Sequence, residues 1–159
     1  MNQTGVVLTV GLAATYTGLV VSNPVGSDKQ LSILACGYQE VVAPTGIQTT
    51  FLAVGSSSTD VIQSVPAITY NMKVGAGDNS SVAKAATGAT LPTLTTPRYV
   101  LPIDSGHTSG ALSTAKCPAL VEVGGLVLLN PGAYAFIAGF TIGVAVGAYC
   151  CIVWEEIPI

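Results

Sequence analysis

The chain has 159 residues, the size of one domain, and can bury about two thirds of its unfolded surface in a single core. Only 8% of its residues are charged against a usual share of about 25%, while 50% are hydrophobic and 29 are Ser or Thr. Five basic residues cannot line a nucleic-acid groove, and this much hydrophobicity excludes a disordered acidic chain. So few charges protect a monomer poorly against association, so copies of the chain or a partner are expected to cover much of its surface.

Residues 1–15 are apolar after Met1-Asn2-Gln3-Thr4, but the first basic residue is Lys29, so secretion through a charged signal peptide is not expected. They read as an N-terminal arm or first edge strand ahead of a single β-sandwich domain over 16–159. From Thr15 onward, short runs rich in Val, Ile, Leu, Thr and Tyr alternate with Gly, Pro, Asn and Ser, an all-β pattern. Strands are expected at 16–22, 30–41, 48–54, 67–74, 99–103, 119–123, 126–129, 133–138 and 141–154. Asn23-Pro24-Val25-Gly26, Ala43-Pro44-Thr45-Gly46, Gly55-Ser56-Ser57-Ser58 and Asn130-Pro131-Gly132 supply turns, through Pro that fixes φ and Gly that frees it. The low-complexity run 75–97 reads as a projecting loop or intersubunit arm, and 105–114 as a second loop around His107. Eight or nine strands in a chain of this length suggest a two-layer sandwich or jelly roll.

The last third decides between sheet and membrane. Residues 133–154 carry no charge, and Gly139, Gly143 and Gly147 form a small-residue ladder of the kind that packs transmembrane helices. The period is two, however. Large residues fall on even positions (Tyr134, Phe136, Phe140, Ile142, Val144, Val146, Trp154) and small ones mostly on odd positions. A lipid-facing helix has no reason to keep that rhythm, whereas a strand does. The seven large residues are therefore expected in the core or a trimer interface, with Asn130, Pro131 and Gly132 as the turn before them and no membrane partner.

Chemistry finds little to build on. Cys36, Cys117, Cys150 and Cys151 include no Cys-x-x-Cys pair and His107 is the single histidine, so no metal site is expected. Cys150 and Cys151, neighbours on a strand, point to opposite faces and read as free thiols in a reducing compartment. Asp104-Ser105-Gly106 after an apolar run matches the aspartic-protease triplet, yet it also spells an ordinary strand-to-loop turn. Asp104, Ser105, His107 and Ser109 could be drawn as a nucleophile and its base, but Asp and Ser on one polar loop commonly cap their own backbone. Gly75-Ala76-Gly77 lacks the Gly-Lys-Ser of a phosphate cradle. Glu155 and Glu156 are expected to end the final strand in solvent or against another subunit. The reading is a non-enzyme without catalytic residues or cofactor.

Three segments carry a resemblance: Leu19-Val20-Val21-Ser22-Asn23-Pro24 with Lys29-Gln30-Leu31, then Leu129-Asn130-Pro131-Gly132-Ala133-Tyr134, then Trp154-Glu155-Glu156-Ile157-Pro158. Together they resemble the small head decoration, or cement, proteins of tailed bacteriophages, which are similar to the tumour-necrosis-factor and C1q group in using a jelly-roll sandwich assembled as a homotrimer. The resemblance implies a structural virion protein, assembled in the host cytoplasm. It would sit on the capsid exterior and clamp neighbouring subunits of the major capsid protein. A trimeric receptor- or glycan-binding module of the fibre-tip kind is the alternative with the same fold signals, followed by a membrane-inserted lysis protein.

Overall fold

Alternating side chains and Pro/Gly punctuation produce strands throughout the computed structural model of the chain, which describes residues 6–8, 15–40, 48–72, 81–92, 98–105, 119–141 and 146–159. Among these residues every helix or strand element is a strand: β1 (Val6–Leu8), β2 (Thr15–Ser22), β3 (Lys29–Glu40), β4 (Gln48–Ser56), β5 (Ile62–Pro66), β6 (Lys84–Thr90), β7 (Arg98–Ser105), β8 (Ala119–Leu129), β9 (Ala133–Thr141) and β10 (Val146–Pro158). They form two antiparallel sheets, β1-β10-β3-β8 and β5-β6-β2-β9-β4-β7. From β1 to β4, and again from β7 to β10, consecutive strands alternate between the sheets.

The sheets meet face to face. Leu31, Ile33, Val123, Leu129 and Ile152 come from the smaller sheet and Val21, Leu52, Ala135 and Ile137 from the larger, and all are buried in one cluster. Trp154 packs against it, half-buried. On β8 the inward residues Val123, Val127 and Leu129 alternate with exposed Leu120, Glu122 and Leu128, the two-residue period of a one-sided strand.

β9 is built differently. It lies between β2 and β4, and both of its faces are buried. Ala135 and Ile137 face the other sheet, whereas Tyr134, Phe136 and Ala138 join Tyr16, Val20, Ala53, Ala86, Ala89 and Leu91 in a second cluster. There the Tyr16 and Phe136 rings meet edge to face, 5.1 Å between centroids, and the buried Tyr16 hydroxyl donates to the Ile137 carbonyl beyond the last β2–β9 rung. The even residues expected in the core or a trimer interface divide between two clusters: the even face of β9 packs in the second cluster, and that of β10, with Ala148, Cys150, Ile152 and Trp154, packs between the sheets.

Other expectations need correction as well. The run 67–74 is not a strand where described; the strand is β5, just upstream. The loop expected over 75–97 contains β6, which pairs with both β2 and β5. Its small Ala85, Ala86 and Ala89 suit a strand buried on both faces, and pairing rather than side-chain propensity makes it one. Segments 119–123 and 126–129 are one strand bent at Gly124 and Gly125, whose φ values of 59° and 78° leave three extra residues of β8 facing β3. The final strand expected over 141–154 appears as the end of β9 and as β10, with 142–145 outside the described residues.

Candidate functional site

One end of the sandwich gathers all three segments on which the resemblance rests. Asn23 is 1% exposed at the end of β2, and its Nδ2 donates to the Lys29 carbonyl at 2.7 Å and the Leu129 carbonyl at 3.0 Å. Its backbone N–H donates to Ala133 and its carbonyl accepts from Gly132, both at 2.9 Å. One residue therefore ties β2 to the start of β3, the end of β8 and the start of β9. With both amide protons used, Oδ1 has no partner among the described residues.

The turn beside it follows from its sequence. Ala133 N–H closes onto the Asn130 carbonyl at 2.8 Å, with Pro131 and then Gly132 at φ 83° between them, the geometry of a type II turn. A Cβ on Gly132 would sit 2.4 Å from the Ser57 carbonyl oxygen, so glycine is required twice over. Gln30 Nε2 reaches Asn130 Oδ1 at 2.5 Å across the β3–β8 pair.

Glu156 closes the cluster. Its carboxylate takes Lys29 Nζ at 2.8 Å, Ser81 Oγ at 2.5 Å and the Val82 N–H at 3.0 Å. Burial pushes this carboxyl upward, but the hydrogen bonds and charge of Lys29, with Ser81 and Val82, outweigh it and hold the group below its ordinary value. The same hydrogen bond raises Lys29. The expectation that Glu156 ends in solvent or against another subunit is corrected: its partners lie in its own chain, while Glu155 is exposed.

The remaining sequence candidates scatter. Tyr134 and Phe136 are buried in the second cluster, and Trp154 packs half-buried against the inter-sheet core. Phe140 lies on β9 and Val146 opens β10, their side chains outside the described set; Ile142 and Val144 fall outside it altogether. Asp104 and Ser105 end β7, paired with Thr50 and Thr49, whereas His107, Ser109 and Cys117 lie outside the described residues. Cys36, Cys150 and Cys151 are free thiols; burial, reinforced by Cys151, raises Cys36 to about 11 and Cys150 to about 12, so neither is a ready nucleophile. Among the described residues no three His, Cys, Asp or Glu side chains group as metal ligands, and no helix is long and apolar enough to cross a membrane. An open hollow lined by Ser22, Pro24, Asp60, Val61, Gln63 and Lys84 has its carboxylate engaged by the Val25 N–H at 2.6 Å.

What sequence reasoning missed is on the surface. Leu120, Leu126 and Leu128 on β8 and Ile68, Tyr70 and Met72 after β5 are all at least half exposed. The signal was the two-residue period of 68, 70 and 72, which equally describes a strand with one buried face. Compared with known protein families, curated proteins and solved structures, the chain matches none of them.

Proposed function

We propose that the protein is a homotrimeric head decoration protein that binds the outside of a phage capsid and clamps neighbouring major capsid protein subunits, acting without catalysis or cofactor. The observation that carries this reading is the meeting of the three resembling segments in one hydrogen-bonded cluster around Asn23, Lys29, the Asn130–Gly132 turn and Glu156. Residues scattered over the sequence carry the likeness, and they form one structural unit. Strand order supports the jelly-roll form. With β5 and β6 set aside, the other eight strands, counted along the chain, lie as first-eighth-third-sixth and second-seventh-fourth-fifth, the winding of a jelly roll.

The mechanism is mechanical. Packed DNA pushes a head outward, and a trimer gripping several capsid subunits adds contacts that must all break before the lattice separates. Linking weak contacts raises their effective concentration, so modest interfaces hold together. The test is sedimentation of the purified chain with and without empty heads, followed by heating. Co-sedimentation with delayed rupture is the expected result, and absence of affinity for heads overturns the reading.

A further inference from the structure

The outer face of the smaller sheet is a trough. Cross-strand rows place Leu120, Gly37 and Cys151 side by side, then Glu122, Ala35 and Val153, then Leu128, Ser32 and Glu155. Partners in one row share a face, so the middle strand β3 supplies a floor of Gly37 and Ala35 between taller residues of β8 and β10, while Ser32 is 2% exposed with its Oγ close to Gly125 of the β8 bulge. Leu120 and Leu128 are 66% and 50% exposed. The charged side chains in these rows are two carboxylates, Glu122 and Glu155, both exposed.

A second apolar surface lies at the β5 edge of the larger sheet. Ile68, Tyr70 and Met72 are 76%, 60% and 78% exposed. Just before them, the Ala67 N–H is tied to the Ala85 carbonyl at 2.8 Å. Beside that tether stands Lys84, exposed and without an ion pair among the described residues. Alternate residues of an extended chain recur about every 7 Å, the spacing of Cys151, Val153 and Glu155 along the β10 wall; on the β8 wall the bulge at Gly124 and Gly125 separates Glu122 from Leu128.

Charge decides what covers the trough. Two troughs docked on each other would set carboxylate against carboxylate with no cation from these rows, and like charges at an interface suppress such pairing. The stripe brings Lys84, while Asp60 in the hollow beside it accepts from the Val25 N–H. We propose that residues 68–72 of one copy lie in the trough of a second copy, with Lys84 turned toward Glu122 and Glu155. The contact joins two different surfaces, so it repeats head to tail, and it closes as a ring when its rotation returns to the first copy. This deepens the self-assembled clamp above and rests on it for a ring of three.

Complementary blocking of the full-length chain tests it. One variant carries Leu120→Lys and Leu128→Lys in the trough, the other Ile68→Lys and Tyr70→Lys in the stripe; all four positions are exposed, and far-UV circular dichroism checks that both variants keep their sheet. Each alone is expected to associate at least about tenfold more weakly than the unaltered chain in sedimentation equilibrium. Mixed, they keep one intact trough facing one intact stripe and form a 1:1 dimer that cannot grow. A monomeric unaltered chain, a stripe variant that still self-associates, or a mixture without dimer each overturns the interface. Head binding is scored separately: assembly without head binding removes the decoration function and leaves this interface standing, while a monomer that binds heads does the reverse.

Discussion

Asn23 shows how one side chain can fix the end of a sandwich. Its amide satisfies two carbonyls on different strands, and no other residue type of that size offers two protons from one planar group. Asn23→Ala strands both carbonyls at a buried site and is expected to cost about 2–4 kcal/mol in urea unfolding. Asn23→Asp costs more, because a carboxylate oxygen then faces a carbonyl oxygen; an Asp variant as stable as the Ala variant would refute this account of the link. Glu156 governs the acid side of stability. A carboxyl lowered in the fold adds stability that is complete above its ordinary value of 4.5 and is lost as pH falls through the lowered one. Its partner Lys29, raised in the fold, adds stability that is complete below 10.5 and is lost as pH rises through the raised value. The difference in unfolding midpoint between the unaltered chain and Glu156→Gln should therefore be widest between these limits and shrink beyond either; a difference independent of pH would contradict the pairing.

At the scale of the strand, β8 and β9 make opposite predictions from similar-looking sequence. On β8, Val127→Ala and Leu129→Ala empty the core, while Leu120→Ala and Leu128→Ala touch solvent and should leave the monomer's unfolding midpoint almost unchanged. On β9 the alternation disappears: Phe136→Ala in the second cluster and Ile137→Ala between the sheets should each cost about 3–4 kcal/mol. A scan of β9 that alternates like β8 would mean that one of its faces is not a core. This difference also marks what the sequence could disclose. Val, Ile and Tyr runs bounded by Asn-Pro and Pro-Gly made β2, β3, β4 and β9 readable, because local preference and final pairing agree there. The strand β6 was hidden, since Lys-Ala-Ala-Thr-Gly-Ala-Thr has little strand preference and owes its form to β2 and β5 on either side. Which of the two periodic runs near residue 65 would pair was equally a tertiary matter. The polar cluster at Asn23 was visible only as separate turn residues, because nothing along the chain states that positions 23, 29, 130 and 156 meet.

For the molecule as a whole, scarcity of charge sets the terms of association. With 13 charged residues in 159, and Lys29 and Glu156 already paired to each other, few charges remain to hold copies together. Exposed ion pairs contribute only about 0–1 kcal/mol each. The cohesion of an assembly formed through the trough and stripe must therefore come from burying Leu120, Leu128, Ile68, Tyr70 and Met72, with Lys84, Glu122 and Glu155 selecting the partner surface rather than supplying the affinity. Apolar burial is strengthened by excluded salts such as sulfate and weakens on cooling, whereas an assembly held by charge dissolves as ionic strength rises. Sedimentation at several concentrations of sodium chloride should accordingly give nearly constant assembly, sodium sulfate should strengthen it, and chilling should loosen it. A chain whose copies separate in moderate sodium chloride would be one in which the thirteen charges, and not the exposed leucines, hold the surfaces together.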